Sequence, residues 1–189
     1  LAHLMDDKNF TEEVLNGDIH TANMKMAGLT DRDQAKTFIY AFMYGAGAAK
    51  IGKIVGAGAK EGQILIDRFL SNMPALKRVR DSVTETAKRG KIKGIDGRLL
   101  YVREQHSALN KLLQGAGAVV CKLWLINMNK RIVQTGVDAK LVASIHDEYQ
   151  YEVAKKDVKR FGSITKDAMK DTEHKLKMKC PLDSEWKEG

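Results

Sequence analysis

Arg32, Lys36, Tyr40 and Tyr44 recur at intervals of four residues within the segment LTDRDQAKTFIYAFMYG. In an α-helix each such step drifts by only about 40°, so the four side chains fall within about 120° of one another along about 18 Å of axis. Two cations occupy the N-terminal end, where the helix dipole and its free amide groups also favour anions, and two aromatic rings occupy the other end. A nucleoside triphosphate has the same layout, with a polyphosphate at one end and a stackable base at the other. Ala35, Phe38, Ile39 and Phe42 lie on a different, apolar face that can be buried. The periodicity is equally that of an amphipathic helix whose basic stems and rings cover a neighbour, so spacing alone leaves both readings open.

A second group is the tripeptide His146-Asp147-Glu148, where apolar and polar residues alternate on both sides in KLVASIHDEYQYEVA. That pattern predicts two strands meeting at or beside the tripeptide. Exposed carboxylates on such a bend are suitable ligands for Mg²⁺, which takes one or two carboxylates together with water and phosphate oxygens. Asp is also an ordinary turn former, so the tripeptide by itself is compatible with plain turn chemistry. A third group, His106, Asn110 and Gln114, repeats at i, i+4 and i+8 and leads into the small residues GAGA. Amide side chains so placed can read the minor-groove acceptors shared by base pairs, or can form a solvated polar face.

These groups need a frame, and the chain supplies signals for one. FTEEVLNGD predicts a short helix stopped by Gly17, with another starting near Asp18. For the helix bearing the cation–aromatic stripe, Thr30 and Asp33 suggest a capping box and Gly45 the stop. Helices are expected at roughly 47–55, 59–71 and 74–89, the last with Pro74 in its first turn. KIKGIDGRLLYVR reads as a hairpin turning at Asp96-Gly97. A long helix is expected over about 107–135, with Leu109, Leu113, Ala116, Val120, Leu123 and Trp124 at core spacing. A Lys-rich helix over about 156–178 and a short strand after Pro181 close the chain. The expected fold class is α+β, with a mainly helical block inserted in a small antiparallel sheet.

Composition narrows the setting. Among 189 residues, 32 Lys+Arg against 24 Asp+Glu leave a formal charge of +8, which suits a polyanionic partner without requiring one. Hydrophobic residues make up 43% and charged residues 30%, as in folded globular proteins rather than disordered or fibrous ones. No apolar run is long enough to span a bilayer, and the first residues do not read as a secretory signal. The two cysteines, Cys121 and Cys180, are too few for a disulfide framework or a metal cluster, and are expected as buried small hydrophobes in a reducing interior.

The pattern Arg-x3-Lys-x7-Tyr-Gly, from Arg32 to Gly45, resembles the nucleotide-binding fingers helix of A-family DNA polymerases, the group of bacterial DNA polymerase I and its bacteriophage relatives. RDQAKTFIYAFMYGAG looks most like the phage branch. IHDEYQYEV resembles the palm motif of the same family and Asn110-x3-Gln114 its N-x3-Q segment; the three motifs occur in the family's order, and the resemblance runs from LAHL to DSEWKEG. The resemblance implies a right-hand fold, lacking thumb and exonuclease parts, with residues 1–28 at the palm–fingers junction, 29–90 in the fingers and 91–189 in the palm. It implies that Arg32, Lys36 and His20 hold the triphosphate, that Tyr40 stacks on sugar and base, and that Tyr44 and Gly45 lie where the template base enters. Tyr rather than Phe at position 40 implies tolerance of chain-terminating nucleotides. Asp147 would ligate metal, Glu148 would act more weakly or in the outer sphere, and His146 would touch the primer end. Arg98, Asn110 and Gln114 would contact primer–template DNA, His106 less securely.

The activity implied is template-directed DNA synthesis in replication, by phosphoryl transfer that uses two Mg²⁺ ions. Lys36 and the carboxylates serve positioning and charge neutralisation rather than nucleophilic attack. The implied partners are primer–template DNA and deoxynucleoside triphosphates, without a membrane; no processivity factor is readable. The implied location is the cytoplasm, that of a bacterial host if the protein is phage-encoded. The family's first catalytic aspartate lies just upstream of the LAH segment, before Leu1, and Asp6 and Asp7 lack its context. This chain alone is therefore expected to extend no primer. Two rivals share features: a single-subunit phage RNA polymerase, whose palm tripeptide ends in Ser where this chain has Glu148, and a non-catalytic DNA-binding module with a steep salt dependence.

Overall fold

The computed structural model describes residues 1–189. Helices α1 (Ala2–Met5), α2 (Lys8–Asn16), α3 (Ile19–Ala27), α4 (Arg32–Met43), α5 (Ala48–Ile54), α6 (Ala59–Asn72) and α7 (Pro74–Ala87) precede a hairpin, β1 (Lys91–Lys93) and β2 (Leu99–Tyr101). The long helix α8 (Ala108–Thr135), a second hairpin, β3 (Ala139–Ile145) and β4 (Glu148–Val153), and α9 (Val158–Leu176) follow. The chain divides into two compact units, Leu1–Leu113 and Gln114–Gly189.

In the first unit the helix starts are set by aspartates. Asp7, Asp18 and Asp31 each stand in extended backbone and accept a hydrogen bond from an amide two or three residues on, the preferred N-cap chemistry. The cap of α4 is Asp31, whose carboxylate lies 2.7 Å from the Gln34 amide; the expected box of Thr30 and Asp33 is displaced by one residue. Gly28, in the left-handed region at φ 68°, ends α3. Phe38, Ile51, Phe69, Leu70 and Leu76 centre one core, and Ala87, Ile92, Val102, Ala108 and Leu112 a second beneath the β1–β2 hairpin. Helices α5 and α6 meet closely at Gly62, where a Cβ would collide with the Ala48 carbonyl.

In the second unit α9 packs on the later part of α8. Trp124, Met128, Ala168 and Met169 form the apolar contact, and the Trp124 indole N–H donates to the Thr165 carbonyl at 2.9 Å. Arg131 grips Asp171 with Nε and Nη2 at 2.7 and 3.0 Å, which holds that carboxyl below the usual range. The β3–β4 ladder is antiparallel, with a bulge at Val142 between the Leu141 and Ala143 pairings.

Four expectations are corrected here. No strand follows Pro181: the tail has no ladder partner and is tied instead by the Leu182 amide donating to Glu173 at 2.8 Å and by Trp186 lying against Gly162. The two sheets are separate two-stranded hairpins rather than one small sheet. The seam of α8 also differs, with Leu109, Leu112, Val119, Trp124 and Met128 buried and Leu113, Ala116, Val120 and Leu123 only half-buried. Cys121 and Cys180 are half-buried free thiols rather than fully buried ones.

Candidate functional site

Helix α4 is fixed by its apolar face. Phe38 and Phe42 are buried and meet Phe69 of α6 edge-on, with centroids at 5.2 and 5.5 Å and planes at 86° and 79°, the favoured aromatic geometry. Arg80 of α7 covers the Phe42 ring at 5.3 Å. With Ala35, Phe38 and Phe42 committed inward, the four-residue period leaves Arg32, Lys36, Tyr40 and Tyr44 on the exposed face, the two rings 52% and 57% accessible.

The two cations differ. Arg32 forms a two-point pair with Asp18, at 3.2 Å through Nε and 3.1 Å through Nη2, and this guanidinium holds the Asp18 carboxyl well below the usual carboxylate range. Lys36 takes part in no ion pair, so its ammonium faces solvent uncompensated. His20, in the first turn of α3, buries Nδ1 without a hydrogen-bond partner. Gly45 follows the helix at φ 80°, and a Cβ there would run into the His106 carbonyl; only glycine suits both the backbone and the approach.

Of the remaining candidates, Arg98, His106 and Asn110 belong to the first unit and Gln114 opens the second. His106 belongs to a 3₁₀ turn, Gln105–Ser107, rather than to the long helix itself, and lies 3.5 Å from Glu104. Asn110 is half-buried in the first turn of α8 and Gln114 is exposed one turn later. Arg98 sits at the tip of the β1–β2 hairpin, donating to Asp96 through Nε.

In the second unit, Ile145 pairs with Glu148, so His146 and Asp147 form the two-residue loop of the hairpin. His146 stands in the left-handed region at φ 55°, the conformation such loops demand and one that is uncommon for a residue with a Cβ. Asp147 is exposed and makes neither a hydrogen bond nor an ion pair, whereas Glu148 accepts a hydrogen bond from Gln150 at 3.0 Å. Behind the hairpin, burial pushes the Cys121 thiol up, with the Asp147 charge adding to the shift. Tyr149 packs at a tilt against Trp124, with centroids at 5.2 Å, and burial pushes the Tyr151 phenol up to about 12.

As a metal site this is a partial donor set. No group of three or more His, Cys, Asp or Glu side chains is gathered in a way that could hold an ion. One unengaged carboxylate beside a second, lightly engaged one fits a hard cation that takes few protein ligands and fills its remaining positions with water and phosphate oxygens. It does not fit a closed structural site. Sequence reasoning missed two residues near these groups. Asp18 is fourteen residues from its Arg32 partner, and Cys121 approaches Asp147 only through the packing of α8 on the hairpin.

The fold defines a class first. The chain superposes on the POL domain of Pol1 from M. smegmatis, a structure in complex with DNA primer-template and dNTP, with a TM-score of 0.84. The match covers 96% of this chain and 35% of that one at 22% identity, and it establishes the polymerase-domain architecture, a mainly helical α+β fold. Residues 1–189 match the DNA polymerase family A model throughout, and the chain belongs to that family. It is 42% identical over 214 aligned positions to the DNA-directed DNA polymerases of Enterobacteria phage T3 and Escherichia phage T7, covering all of this chain and 30% of each of theirs. DNA polymerase I of Bacillus subtilis is 26% identical, again over the whole chain and 24% of the relative. The chain thus spans less than a third of the length of the curated relatives it matches. No helix is long and apolar enough to cross a membrane.

Proposed function

We propose that residues 1–189 carry the nucleotide-selecting helix and the metal-binding turn of a DNA-directed DNA polymerase that acts in replication, residues 29–90 forming its fingers and 91–189 most of its palm. The observation that carries this reading is α4 itself. Its aromatic underside is locked against α6, and its outer face presents cations at the anion-favouring end and phenols at the other. That the phage T3 and T7 relatives are DNA-directed DNA polymerases supports DNA rather than RNA synthesis as the reading.

Arg32, Lys36 and His20 bind the triphosphate. Tyr40 stacks on the sugar and base of the incoming nucleotide, while Tyr44 and Gly45 border the template base. Asp147, assisted by Glu148, holds Mg²⁺, which when bound supplies Lewis-acid stabilisation of the phosphoryl oxygens and activates the primer hydroxyl. The chain's own contribution is positioning and charge. Arg98, Asn110, Gln114 and His146 contact primer–template DNA, and the charge of +8 makes that contact salt-dependent.

The Tyr40 hydroxyl gives a direct test. A phenol at this position can replace the hydrogen bond of a missing 3′-hydroxyl, and one hydrogen bond is worth about 1 kcal/mol. In a polymerase carrying these residues, Tyr40→Phe is expected to raise discrimination against dideoxynucleotides about fivefold, measured as the ratio of incorporation efficiencies for dATP and ddATP. Equal discrimination by both forms would contradict the placement of Tyr40 at the sugar.

A further inference from the structure

The pair between Asp18 and Arg32 joins the first residues of two helices. Asp18 caps α3, accepting from the His20 amide at 3.0 Å, the Thr21 amide at 3.3 Å and the Thr21 hydroxyl at 2.7 Å. The same carboxylate accepts the Nε and Nη2 hydrogens of Arg32, the first residue of α4. These five donors occupy both oxygens, which leaves Asp18 unsuited to bind a metal or carry a proton. It caps the positive end of α3 and pairs with a guanidinium rooted at the start of α4, and it compensates both.

The geometry of the grip matters more than its charge. A guanidinium has five N–H groups in a rigid plane. Asp18 takes the edge formed by Nε and one Nη2 hydrogen, and the Nη1 pair with the second Nη2 hydrogen lies on the other edge. Arg32 is half exposed, its side chain 51% accessible, so that outer edge can take an anion while the inner edge stays bound. A carboxylate that merely competed with a phosphate would have to be displaced from the guanidinium. His20 lies on the first turn of the same helix that Asp18 caps. One carboxylate therefore sets the start of α3, which carries His20, and the aim of Arg32.

We propose that Asp18 is a positioning residue for nucleotide binding, which orients Arg32 and aligns it with His20 so that both address the triphosphate. This rests on the nucleotide-binding reading of α4. The test uses ¹⁵N-labelled chain at low ionic strength, titrated with sodium tripolyphosphate and with dATP, following the Arg32 Nε–H signal and the His20 amide. Asn and Ser cap helices as well as Asp does, so Asp18→Asn and Asp18→Ser should melt within about 2 °C of the parent. Both should bind each ligand about fivefold more weakly, because the charged two-point grip is gone. The Arg32 Nε–H signal in these variants should move to the exchange-averaged position of an unrestrained arginine. Binding equal to or tighter than that of the parent would overturn the positioning role, tighter binding marking Asp18 as a competitor. Arg32→Ala separates the two levels. If it too binds as the parent does, the nucleotide reading fails; if it weakens binding while the Asp18 variants do not, only the role of Asp18 fails.

Discussion

Asp147→Asn, in a polymerase carrying these residues, is expected to slow primer extension about a thousandfold while leaving DNA affinity and melting temperature nearly unchanged. The reasoning starts from the hairpin loop, where Asp147 is exposed and satisfies no neighbour, so its replacement removes no native hydrogen bond or ion pair. Surface changes of that kind alter stability by about half a kcal/mol or less. The loss of a metal-ligating charge, by contrast, removes several kcal/mol of charge stabilisation, at about 1.4 kcal/mol for each factor of ten. Glu148→Gln should be milder, about tenfold, because Glu148 is already engaged by Gln150 and opens a β-strand rather than standing in the loop. Single-turnover rates at saturating Mg²⁺ measure both. If the two variants lose equally, or if Asp147→Asn melts far below the parent, the assignment of the metal to the loop carboxylate is wrong.

Lys36→Ala should lower the efficiency of nucleotide incorporation by about tenfold to a hundredfold, since a charge-assisted hydrogen bond contributes about 1.5–3 kcal/mol. Its ammonium has no carboxylate partner, so the entire charge is available to an incoming anion. Lys36→Arg keeps the charge with a different reach and should recover part of the loss, and added salt should narrow the gap between Lys36→Ala and the parent. Incorporation kinetics at two salt concentrations read out all three effects. A deficit in Lys36→Ala that ignores salt would point to packing rather than charge.

Local signals were legible because they act within a few residues. Gly45 and Pro74 mark helix ends through backbone freedom or a missing donor, and the four-residue period on α4 needs no knowledge of the rest of the chain. Even the shift of the cap from Thr30 to Asp31 is a one-residue competition between two adjacent cap formers. Illegible features depend on packing between distant segments. The seam of α8 blurs because its first turns serve two cores, one through Leu109 and one through Leu112, while Trp124 and Met128 serve a third, so no single face stays apolar. The tail after Pro181 has no edge to pair with, and Glu173 and Gly162 tie it down instead. Asp18 reads as a simple cap until α3 and α4 are set side by side.

The placement of the nucleotide along α4 is tested most directly by photo-crosslinking with 8-azido-dATP. The experiment uses a polymerase carrying these residues, a primer–template with thymine as the next template base, Mg²⁺, and peptide mapping of the labelled product. Label within Arg32–Gly45, concentrated at the Tyr40 and Tyr44 end and suppressed by unlabelled dATP but not by dCTP, is the predicted result. Label outside that helix, or label indifferent to the matched competitor, would contradict the account.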